Sequence, residues 1–175
     1  MGFFTSDFHR LGRPRLCAVA LLGLSCLAAS ANAACMIELS TYADRDHAAE
    51  IDFSPTLEGA TVTNSFKMLL DNAIVLDGFV QWTESVARGY GTLQYQCPQG
   101  DVTGEEYAAC TVWQGVIYAA SDKGDIELVP AEGQAAPKRL ILADLGPSLR
   151  ASAAFGEAGL PRVPWDVFEM NGCQE

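Results

Sequence analysis

Three segments of the chain alternate between apolar and polar side chains with a period of two. In residues 61–70, Val62, Phe66, Met68 and Leu70 fall on one parity, and Thr61, Thr63, Ser65 and Lys67 on the other. In 74–82, Ile74, Leu76, Val80 and Trp82 oppose Asp77 and Gln81; in 92–97, Leu93, Tyr95 and Cys97 oppose Thr92, Gln94 and Gln96. Successive side chains of a strand point to opposite faces, so each pattern predicts a strand buried on one side. Residues 112–118 are apolar on both parities, as expected for a strand covered on both faces, and 126–129, 140–142 and 165–170 complete the predicted set. Turn-forming residues separate them at 71–72, 89–91, 98–104 and 121–125, and 130–137 reads as a surface connection. Helical patterning is scarce. Short helices are predicted at 43–50, 105–109 and 149–155, none long enough to stand without tertiary support. The expected fold is mainly β: a single-domain antiparallel β-sandwich or rolled sheet with one or two short helices.

The first 33 residues change how the rest is read. Arg10, Arg13 and Arg15 precede an apolar run at 16–27, and a stretch of small residues ends in Ala31-Asn32-Ala33. This is the layout of a secretory signal peptide, with cleavage after Ala33 preferred over retention as a membrane helix. Residues 34–175 are then one exported domain without a membrane span, bound for the periplasm or the extracellular space. Cys17 and Cys26 leave with the leader, so Cys35, Cys97, Cys110 and Cys173 meet an oxidising compartment, where an even count predicts two disulfides. Of the three pairings, Cys97 with Cys110 and Cys35 with Cys173 are preferred: one pair is close in sequence, and the other joins the chain ends. Structural zinc is disfavoured, since no C-x-x-C pair occurs. Beyond residue 33 the chain carries 8 basic and 21 acidic residues, a formal charge of −13. Such a surface disfavours nucleic acid as a partner and promotes solubility; it would attract a cationic ligand or a basic partner.

Candidate chemistry is sparse. His47, in Asp44-Arg45-Asp46-His47, is the only histidine after the leader, which rules out a multi-histidine metal site within one chain. No G-x-S-x-G elbow accompanies it, and Gly146-Pro147-Ser148-Leu149-Arg150 does not replace one. The loop at 97–106 gathers Asp101, Glu105 and Glu106 between glycines, a composition that suits calcium. Thr103-x-x-Glu106 also fits a capping box, and this reading is preferred, so no cofactor is expected. Phosphate-cradling glycine loops and nucleotide fingerprints are absent.

Among the aromatic residues, parity puts Trp82 inside. Trp113, on the parity opposite Val112, Val116 and Tyr118, is the tryptophan that would face a groove or second layer if it is not core. Trp113, Asp101 and Glu105 are therefore the candidate ligand-binding residues, and no catalytic residue is assigned. The expected function is a non-enzymatic, exported binding or envelope-associated module whose partner is a protein or small molecule of the cell envelope. The alternative is a small exported hydrolase drawing on Asp77, Asp101, Glu105 and Glu106, with or without calcium, which requires two of these carboxylates in one pocket. Pro164-Trp165-Asp166-Val167-Phe168 stands out as a segment without suggesting an activity.

Overall fold

The computed structural model describes residues 34–71, 73–156 and 159–174. The apolar run at 16–27 and the expected cleavage site lie outside them. Among the described residues nine strands form one sheet: β1 (Ser40–Asp44), β2 (Ala49–Ser54), β3 (Asn64–Leu70), β4 (Ile74–Trp82), β5 (Gly89–Gln94), β6 (Thr111–Ala120), β7 (Ile126–Leu128), β8 (Arg139–Leu142) and β9 (Val167–Cys173). Every pairing is antiparallel. Following neighbours from β1 through β2, β3, β4, β5, β6, β8 and β9 returns to β1, so eight strands close into a barrel and β7 hangs on β6 as a short flap. Of the two expected architectures, the rolled sheet describes the molecule: the β5–β6 and β1–β9 pairings join what a sandwich would leave as open edges.

The period of two places the core. Tyr42, Ile51, Phe53, Phe66, Met68, Leu76, Val80, Leu93, Ile117 and Phe168 are buried in one cluster, while Asp52, Lys67, Asp77 and Glu169 face solvent from the same strands. Two inward glycines make room for large neighbours. The Phe66 ring fills the space over Gly78, its cross-strand partner, and Ile117 and Trp113 crowd the position a Cβ would take at Gly91. For that reason 89–91, which reads as a turn from its glycines, is the opening of β5.

Among the described residues the α-helices are two. α1 (Gly104–Cys110) is close to the segment expected at 105–109, and its capping box is present: the Thr103 hydroxyl accepts from Glu106 N, and Glu106 accepts from Thr103 N at 2.9 Å. α2 (Leu145–Ala151) begins earlier than the helix expected at 149–155, where only a single tight turn, Ala153–Phe155, follows it. The helix expected at 43–50 does not form. The buried Asp44 carboxylate accepts from Ala49 N at 2.8 Å and Asp46 N at 3.3 Å, and His47 takes a left-handed φ of 50°, so the chain reverses from β1 into β2.

Both preferred disulfides are present, Cys35–Cys173 and Cys97–Cys110. The barrel ends differ. Ile37, in a tight turn before β1, covers one end, and α2 lies across the other with Leu145 and Leu149 fully buried. No helix among the described residues is long and apolar enough to cross a membrane.

Candidate functional site

A cavity of about 910 Å³ opens at the α2 end of the barrel. Its walls come from three connections that are distant in sequence: the β1–β2 turn, α2, and the run of chain leading into β9. Pro147 and Ala151 of α2 face Val163, Pro164, Trp165 and Val167, giving a mostly apolar lining. Trp165 and Val167 remain 48% and 42% exposed.

Each wall is held by polar groups that are already engaged. Asp166 caps α2 from outside, accepting from Asp144 N at 2.9 Å and Leu145 N at 3.0 Å. Those are first-turn donors with no intrahelical partner, and the carboxylate satisfies them. The Trp165 ring is fixed on both sides: its indole N–H donates to Asp46 Oδ2 at 2.6 Å, and the Arg45 guanidinium lies 3.5 Å from the ring centroid. A cation stacked on an indole is held by the ring quadrupole. Arg162 donates from Nε to Asp71 Oδ1 at 2.7 Å and from a second nitrogen to the same oxygen, which ties the segment to the β3–β4 turn. The close approach of the Pro164 carbonyl to α2 leaves no room for a Cβ at Gly146.

One charged group on the lining stands apart. Arg150, exposed in the last turn of α2, makes no ion pair or hydrogen bond with any described residue. With Arg45 and Arg162 it brings three of the 8 basic residues beyond position 33 to this end of an otherwise acidic molecule.

The residues singled out from sequence do not meet here. Trp113 belongs to the core: it is 3% exposed, its ring lies over Gly91 and Gly115, and its N–H donates to the Ala143 carbonyl at 3.1 Å. Trp113 shares its parity with Gly115 and the buried Ile117, so its side of β6 faces the core, while Val112, at the register shift opposite Leu93 and Gln94, is buried as well. Asp101 sits in the exposed loop before α1, and Glu105 in the exposed first turn of α1, neither on the lining of the large cavity. Asp77 is paired with Lys67 Nζ at 2.6 Å on the outer face of β4, and Glu106 is committed to Thr103. The four carboxylates of the hydrolase reading therefore do not converge on that cavity. Among the described residues no three His, Cys, Asp or Glu side chains cluster as a metal site, and His47 is exposed in its turn.

Arg150 and the wall at 163–167 were not picked out as binding residues. The only signal was the unusual Pro164-Trp165-Asp166-Val167-Phe168 string, whose partners Asp46 and Arg45 lie about 120 residues away. Compared with protein-family models, with curated proteins and with solved structures, the chain shows no match.

Proposed function

We propose that the chain is an exported, non-enzymatic binding module whose ligand site is the groove between α2 and residues 162–167. The observation that carries this reading is the groove itself: an apolar cleft with an exposed tryptophan whose rotamer is fixed from two sides before any ligand arrives. Small-molecule sites are clefts of roughly 300–1,000 Å³ lined by apolar and aromatic side chains with a few fixed polar groups, and preorganised walls lower the entropic cost of binding. That size favours a small ligand over a protein partner. Export is supported by the leader-like first 33 residues and by the two disulfides, which persist in oxidising compartments.

A neutral, environment-sensitive dye such as Nile red tests the site. Saturable binding with one dye per chain is expected, and Val167→Asp, at an exposed position on the groove wall, abolishes it without lowering the unfolding temperature. Dye binding that never saturates, or that survives Val167→Asp, overturns the assignment. Peptide mapping of protein recovered from producing cells tests export: the expected mature chain starts at Ala34, and recovery with residues 1–33 still attached argues against it.

A further inference from the structure

The groove has an apolar body and one charge without a partner among the described residues, and this combination defines a ligand class. We infer that the groove takes a small amphipathic anion, an apolar chain or ring bearing a carboxylate, sulfate or similar head, with Arg150 receiving the head. This inference rests on the groove being the ligand site and names what that site selects.

The Asp166 oxygens are each occupied by a backbone N–H of the α2 start, and Asp46 Oδ2 by the Trp165 indole. Asp46 Oδ2 also lies 3.8 Å from Arg45 Nε, so both carboxylates already face positive groups of the protein, the α2 start for Asp166 and Arg45 for Asp46. Arg162 is spent on Asp71 and on the Asp46 carbonyl, and Arg45 on the face of Trp165. Arg150 alone among the described lining charges has its donors unused. It projects from the same helical turn as Ala151, next to the apolar floor, so an anion reaching it leaves a tail attached to that anion along Val163, Trp165 and Val167. A guanidinium fork presents paired donors to a carboxylate or sulfate, and such charge-assisted hydrogen bonds are stronger than neutral ones. The setting sharpens the argument. The chain beyond residue 33 has a formal charge of −13, so its general field repels anions. Anion selection at the groove must therefore come from the local arginine and not from the protein as a whole.

Calorimetric titration with three ligands sharing one eight-carbon tail tests this below their micelle concentrations: octanoate, 1-octanol and octylammonium. The expected order is octanoate tightest, by about tenfold over octanol, with octylammonium weakest, the octanoate advantage shrinking as salt is raised. Arg150→Gln is expected to bring octanoate down to the octanol affinity while octanol itself is unchanged, and Arg150→Lys to restore part of the difference. Arg139→Gln, which removes the same charge at the distant ion pair with Glu169, is expected to leave all three unaltered. If octanol and octanoate bind equally, or if Arg150→Gln weakens neither, the anion assignment is overturned while the groove survives as a binding site. If none of the three binds and the dye also fails, the groove reading falls with it. Octanoate and octyl sulfate binding alike supports selection of anionic charge in general, whereas octanoate alone narrows the class to carboxylates.

Discussion

Tyr42 shows how one side chain links the fold to pH. Its ring is fully buried in the barrel against Phe53, and its hydroxyl donates to the Pro137 carbonyl at 2.9 Å. Burial pushes its pKa up to about 12 from an ordinary 10, with the Ser40 hydroxyl pulling the other way. A raised phenol pKa means that folding favours the neutral form. The associated stability is complete below pH 10, the unfolded value, and is lost as pH climbs through the folded value near 12. A shift of this size corresponds to about 3 kcal/mol. Tyr42→Phe is expected to cost about 1 kcal/mol at neutral pH, because the Pro137 carbonyl loses its donor. In exchange, the variant has no phenol to ionise at this position. Urea midpoints measured from pH 8 to 12 should therefore fall less steeply for the variant than for the parent, the two curves crossing above pH 10 as the parent's ionisation loss outgrows the variant's missing hydrogen bond. Parallel curves would show that Tyr42 does not carry the alkaline transition. Glu106 behaves in the opposite sense: hydrogen bonds from the Thr103 backbone and hydroxyl hold its carboxyl below the usual range, so the contribution of this cap is present near neutrality and lost on acidification.

At the scale of elements, legibility followed the range of the interactions that decide each segment. α1 was readable because its start is written within four residues, Thr103 to Glu106. β3 and β4 were readable because their inward parity pairs directly, Phe66 with Gly78 and Met68 with Leu76, although Trp82, placed inside by the same parity, is exposed at the end of β4. Residues 43–50 misled because Ala43, Ala48 and Ala49 favour helix, while the deciding contact is the Asp44 carboxylate reaching Ala49 N across a turn that places His47 in the left-handed region. The start of α2 had no local signal at all. Its cap is Asp166, 22 residues further on than Asp144, and the same carboxylate holds the groove wall in place. The site was therefore hidden for the same physical reason as the helix that walls it. Asp166→Ala leaves two first-turn N–H groups without a partner and is expected to cost about 2 kcal/mol by chemical denaturation. Nile red affinity should fall with it, since the 163–167 wall loses its anchor to α2. Loss of stability with dye affinity intact would separate the cap from the groove and refute their coupling.

The whole molecule turns on one seam. β1–β9 pairing closes the ring, Ser40 against Cys173 and Asp44 against Phe168, and it joins the two ends of the described chain. Bringing such distant segments together carries the largest loop-closure entropy in the fold, and the Cys35–Cys173 bridge, whose partners are 138 positions apart in sequence, sits at one end of this seam. Cys97–Cys110 spans only 13 residues and encloses α1. On the chain-entropy account the long bridge contributes about 5 kcal/mol and the short one about 3. Cys35→Ser with Cys173→Ser should therefore lower stability by roughly 2 kcal/mol more than Cys97→Ser with Cys110→Ser. The two losses should also differ in place. Opening the long bridge exposes the seam, so amide protection is expected to fall at Tyr42 and Phe168, in the strands the bridge joins, while opening the short one is felt mainly in α1. Barrel closure here depends on strand pairing and covalent linkage together, because β1 and β9 are flanked by β2 and β8 on their other sides and have no neighbour to replace each other. An equal or larger loss from the Cys97–Cys110 pair, or protection at Tyr42 and Phe168 that survives removal of Cys35–Cys173, would mean that the seam is held by its hydrogen bonds and core contacts without the help of the bridge.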